Sequence, residues 1–108
     1  MTEHNIFLKG RVVPYFRVGK DLEIRIESVW VRNIKMGDGI DFLPPNSEKF
    51  HRVVKAVRIY GNLETMVEVE NPNRIIPGQD KDAVLRELKT VYPDTGNRRV
   101  YVFELLPA

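Results

Sequence analysis

The sequence predicts an α+β fold: a small, strongly curved β-sheet or barrel, mostly antiparallel, with two to three helices packed at its ends. Three observations carry this. Segments of strand character are short and close together, so most neighbours can only pair antiparallel. Helical signals are confined to three places, one after the first strand and two after Tyr60. Finally, 108 residues with 43% hydrophobic and 30% charged side chains suit one core, hence one domain over residues 1–108.

The elements follow in order. Ile6-Phe7-Leu8 is a short apolar patch suited to an opening strand. Val12 to Val18 predicts a short helix with Pro14 in its first turn, where a missing N–H costs nothing. Gly19 then stands where a left-handed cap belongs. Leu22-Glu23-Ile24-Arg25-Ile26 alternates with the period of a half-buried strand. Leu22, Ile24 and Ile26 are expected toward the core, with Glu23 and Arg25 together on the opposite face.

Ile34 to Phe42 reads as a tight turn around Asp38, with Gly37 and Gly39 on either side, feeding another strand. Pro44-Pro45-Asn46-Ser47 marks a loop. Phe50 to Tyr60 is rich in valine and isoleucine and predicts a long strand, although Arg52, Lys55 and Arg58 are spaced as in a helix. Asn62 caps a short helix through Leu63, Met66 and Val67, which Asn71-Pro72-Asn73 stops. After the Ile75-Ile76-Pro77-Gly78 plug and turn, Asp80 precedes an amphipathic helix carrying Val84, Leu85, Leu88 and Val91. Tyr92 to Asn97 ends it, and Val100 to Leu106 is a closing strand. Parallel pairing needs a long crossover, and only the helices after Tyr60 offer one.

Composition narrows function by exclusion. No apolar run approaches the roughly 18 residues of a membrane span, so no membrane partner is expected. Met1 to Asn5 lacks the basic and apolar pattern of a signal peptide. The absence of cysteine removes disulfides, thiolate nucleophiles and cysteine zinc sites, and suits a cytoplasmic location. A net charge of +2 permits a polyanionic partner without demanding one. His4 and His51 are the only histidines and neither sits at ligand spacing, so no metal and no cofactor is expected. Ser47 precedes His51 by four residues, but in a proline-rich loop without a nucleophile elbow.

The ordered punctuation resembles the ASCH domain, a family of the PUA-like β-barrel superfamily. The resemblance rests on Gly19-Lys20-x-x-Glu23-x-Arg25, Lys35-Met36-Gly37-Asp38-x-Ile40-x-Phe42, the Val-rich strand ending in Tyr60, Ile76-Pro77-Gly78, and Tyr92-Pro93 before the last strand. It spans nearly the whole chain. It implies a small PUA-like curved barrel with a cleft beside the first helix, lined by Lys20, Glu23 and Arg25. It also implies RNA, or a nucleotide or nucleoside, as partner, and a role in RNA metabolism. Some members are hydrolases, acting as ribonucleases or on acetylated cytidine. The deacetylating subfamily uses a threonine, a lysine and a glutamate. Here Lys20 matches the lysine, Glu23 stands in the threonine's place, and the region before Pro77 is arranged differently. A glutamate does not replace a hydroxyl nucleophile in acyl transfer.

Two functions therefore compete. In one, Lys20, Glu23 and Arg25 bind RNA or a nucleotide, with Tyr15 and Arg17 adding stacking and phosphate contacts. In the other, Lys20 and Glu23 act as an acid–base pair in a small hydrolase on RNA or a modified nucleoside. Against both stands the plainer reading of an exposed salt bridge, worth under about 1 kcal/mol. Trp30 and Arg32 interleave like Tyr15 and Arg17, yet Phe16 and Trp30 are more commonly core. Arg98-Arg99 reads as a solvated edge.

Overall fold

Local rules account for most elements of the computed structural model, which describes residues 1–107. The strands are β1 (Glu3–Phe7), β2 (Leu22–Ile26), β3 (Gly39–Leu43), β4 (Phe50–Tyr60) and β5 (Val100–Leu106). The helices are α1 (Val13–Arg17), α2 (Val29–Arg32), α3 (Leu63–Val69), α4 (Pro72–Ile75) and α5 (Lys81–Val91), with a 3-10 turn at Gly10–Val12 leading into α1. Asn62 and Asp80 cap α3 and α5 by accepting the backbone N–H of Thr65 at 2.7 Å and of Ala83 at 2.9 Å. Gly19 ends α1 at φ 118°, where a side chain would be strained.

Two one-turn helices were not expected. Ser28 caps α2, and Pro72 opens α4 at its first turn rather than only stopping α3. The sheet order is β1-β3-β4-β5-β2, curled into a half-barrel with β1 and β2 as its edges. Three of its four pairings are antiparallel. The fourth, β1 with β3, is parallel. Its crossover is the whole segment holding α1, β2 and α2, so the chain visits the far edge before returning. The expectation that only the helices after Tyr60 could supply a crossover is corrected.

The three-residue spacing of Lys55 and Arg58, which both meet Glu104 on the outer face, has a local cause, whereas Arg52 pairs with Ile40 and lies on the inner face. A bulge between Val54 and Ala56 shifts the β4–β5 register and reverses which residues face inward. Val54 and Val57, three apart, both reach the inner core.

The sheet has two cores. Inside the curl, Ile6, Phe42, Val54 and Phe103 pack with Phe16 of α1 and Val31 of α2. The rings of Phe16, Phe42 and Phe50 stand 5.1–5.2 Å apart, centroid to centroid. On the outer face, Leu22, Ile24 and Val102 pack against Met66, Val84 and Leu88 of α3 and α5. β2 is thus covered on both sides. Glu23 and Arg25 do share a face, but it is the inner one, and Glu23 is buried rather than exposed.

Candidate functional site

The expected trio converges. After α1, the Lys20 backbone N–H donates to the Tyr15 carbonyl at 2.8 Å, which turns the lysine side chain inward. Its ammonium donates to the carbonyls of Leu22 at 2.5 Å and Ile75 at 3.0 Å. It stands 3.7 Å from Glu23 Oε1 and lies over the Phe16 ring, 5.6 Å from its centroid. Burial pushes the Lys20 pKa below its ordinary value, against the pull of Glu23. Glu23 Oε2 accepts from Arg25 Nη2 at 3.1 Å. The Lys20 and Glu23 side chains are only 5% and 7% exposed, so this is no surface salt bridge.

Arg25 Nε is buried and has no hydrogen-bond partner among the described residues. The Tyr92 hydroxyl beside it donates to the Ile24 carbonyl at 3.1 Å, and burial raises its pKa.

Above this pair opens a cleft of about 170 Å³ between the 3-10 turn, α1, β2 and α5. Tyr15, Ile76, Leu88 and Tyr92 help to wall it, over Glu23 and Arg25. Arg11 and Glu87, paired at 3.1 Å, stand on opposite sides of its mouth. Of the sequence-predicted residues, Lys20, Glu23, Arg25 and Tyr15 line it. Arg17 does not: it is exposed beside Phe50 and Arg52, at a separate shallow depression. Trp30 is 46% exposed on α2 and also outside the cleft. Tyr92 was missed as a site residue, although its place four after Leu88 puts it on the same side of α5. Arg11 and Glu87 carried no sequence signal.

The other face of the sheet, at β4 and β5, holds a second ionic cluster. Glu104 accepts from Arg58 at 2.7 Å and lies 3.2 Å from Arg74 and 3.5 Å from Lys55. Glu70 accepts from Arg58 at 2.6 and 2.9 Å and from the Tyr60 hydroxyl at 2.5 Å. Asp21 takes a two-pronged contact from Arg74, both bonds at 2.8 Å.

No family model and no curated protein matches the chain. Solved structures do. The hypothetical protein PH0355 aligns with 99% of this chain and 100% of its own, with a TM-score of 0.81 at 21% identity. Protein PF0455 from Pyrococcus furiosus, determined by solution NMR, aligns with 98% of this chain and 97% of its own, with a TM-score of 0.73 at 25% identity. Both likenesses run the length of the chain and support the fold, a small α+β unit with a curled five-stranded sheet. No helix among the described residues is long and apolar enough to cross a membrane.

Proposed function

We propose that this chain is an ASCH-type recognition domain that binds single-stranded RNA or a nucleotide in the cleft above Glu23 and Arg25, serving RNA metabolism. The observation that carries the reading is the Glu23–Arg25 pair on the cleft floor, with the Arg25 side chain still 22% exposed toward the cleft. A carboxylate and a guanidinium side by side offer an acceptor and donors, the complement of a base edge. Tyr15, Tyr92 and Leu88 supply flat and apolar walls for a ring. Lys9 at the rim, beside the Arg11–Glu87 pair, offers a cation for phosphate in this reading.

Lys20 positions rather than binds in this reading. An ammonium has three donors. Two reach the carbonyls of Leu22 and Ile75, and the charge faces Glu23, so the lysine fixes the carboxylate that meets the ligand.

Hydrolysis by Lys20 and Glu23 is the second reading. The lowered Lys20 pKa favours it, because a lysine nearer neutrality serves better as a base. The same two carbonyl contacts count against it, since they hold the proton-bearing nitrogen away from a substrate.

Fluorescence anisotropy with short single-stranded RNA and with nucleoside monophosphates, at several salt concentrations, tests the proposal. Saturable binding that weakens with salt and is lost in Arg25→Gln is expected. No saturation at low salt with either ligand refutes it. Turnover of RNA or a modified nucleoside that depends on Lys20 and Glu23 would replace it with the hydrolase.

A further inference from the structure

On the outer face of the other half of the sheet, three residues remote in sequence meet. Glu3 of β1 lies opposite Gly39 of β3, and Asp41 of β3 lies opposite His51 of β4. His51 Nδ1 stands 2.9 Å from Asp41 Oδ1 and 3.5 Å from Glu3 Oε1. One donor atom from each residue falls within 4.8 Å of the others. With metal–ligand bonds of about 2.0–2.2 Å, neighbouring ligands of a tetrahedral or octahedral ion stand roughly 3–3.5 Å apart. The side chains therefore need little movement to share one ion.

Gly39 is a second, independent sign. Its φ is not positive, so its backbone conformation does not require glycine. What requires it is space. A Cβ there would collide with both Glu3 carboxylate oxygens and with His51 Cε1. The carboxylate and the imidazole lean together over the hollow that the absent side chain leaves.

The charge is also unbalanced. Among the described residues, neither Glu3 nor Asp41 has a lysine or arginine within 4.0 Å, and each meets only His51. Two carboxylates around one imidazole are matched by a divalent cation. The geometry points to a transition-metal site at Glu3, Asp41 and His51, taking Zn²⁺ or a similar ion through one nitrogen and two oxygen donors. Solvent fills the remaining positions, because Glu3 and His51 are exposed. Imidazole selects against Mg²⁺ and Ca²⁺, which prefer all-oxygen shells. The ion clamps edge strand β1, whose strand pairing is with β3 alone, to β3 and β4. The site shares no residue with the cleft and does not depend on what the cleft binds.

The test is titration of the untagged full chain with Zn²⁺ by calorimetry and with Co²⁺ by visible absorption, with Ca²⁺ as control. One ion per chain should bind, with cobalt bands of a site containing nitrogen, and Zn²⁺ should raise the melting temperature. His51→Asn should abolish both effects. Glu3→Gln and Asp41→Asn should each weaken binding by roughly tenfold or more, at least the loss typical of removing an outer-layer partner. Gly39→Ala should also weaken it with all three donors present; the displaced groups are flexible side-chain ends, so metal-free folding should survive and is checked by circular dichroism. Absence of saturable Zn²⁺ or Co²⁺ binding up to roughly millimolar concentration, the affinity range of weak hard-ion sites, overturns the proposal. So does binding unchanged by His51→Asn, or lost only in His4→Asn.

Discussion

Glu23 and Glu104 lie almost back to back. In the β2–β5 ladder Glu23 pairs with Phe103 and Glu104 with Leu22, so the two carboxylates leave adjacent rungs toward opposite faces of the same strands. On the outer face, three cations (Lys55, Arg58, Arg74) meet three carboxylates (Asp21, Glu70, Glu104). On the inner face two cations, Lys20 and Arg25, meet one carboxylate, and one guanidinium nitrogen lacks a partner beside an open cleft. The balanced cluster binds β2, β4, β5, α3 and α4 together. The unbalanced one keeps an excess positive charge and a buried N–H without a partner. The difference is between a polar network balanced in charge and one with an excess cation beside a cleft, and the proposed ligand is what would complete the second.

The largest expected effect is on the inner cluster. Glu23→Gln leaves Lys20 buried without its counter-charge and should cost about 3–5 kcal/mol in urea unfolding. Adding Lys20→Met to it should recover most of that loss. A cost below about 1 kcal/mol for the single change would mean the pair is solvated like a surface bridge.

Next, Arg58→Gln should cost about 1.5–3 kcal/mol, the range of charge-assisted hydrogen bonds, while leaving RNA or nucleotide binding intact. Arg25→Gln should do the reverse, abolishing binding at smaller cost in stability. Equal effects of the two changes on binding would erase the distinction.

Acid should weaken the outer cluster. The Arg58 hydrogen bond, with Arg74 beside it, holds the Glu104 carboxyl at about 2, well below its usual 4.5. A depressed carboxyl stabilises the fold above its unfolded value, and that contribution disappears as pH falls from about 4.5 toward 2. Stability measured across that window should decline, and Glu104→Gln should flatten the decline. Asp38, held at about 2 by His4 and by the backbone N–H groups of Lys35 and Thr2, adds to the wild-type slope in the same window.

The smallest effect should come from Arg17→Ala. The residue is exposed and outside the cleft, so stability should stay within about 0.5 kcal/mol and ligand affinity should be unchanged.

Much of this was legible from local patterns. Alternation correctly placed Glu23 and Arg25 on one face of β2. It did not reveal that both faces are covered, because periodicity says which residues point together and not what lies above them. The caps Asn62 and Asp80 marked α3 and α5, whereas four-residue α2 and α4 are too short to show a period. Tyr15 and Arg17 looked equivalent as an aromatic–basic pair, yet residues two apart on a helix point to different sides, and only Tyr15 reaches the cleft. Glu3, Asp41 and His51 were invisible as a group, since their meeting depends on a parallel β1–β3 pairing that nothing local announces.

The most direct test of the central claim is a backbone amide NMR titration with a short single-stranded RNA at low salt. Saturating shift changes should cluster at Tyr15, Glu23 to Arg25 and Leu88 to Tyr92, with the amides around Arg58 and Glu104 still. Changes centred instead on Arg17, Arg52 or Arg98-Arg99, or no saturating change at all, would contradict it.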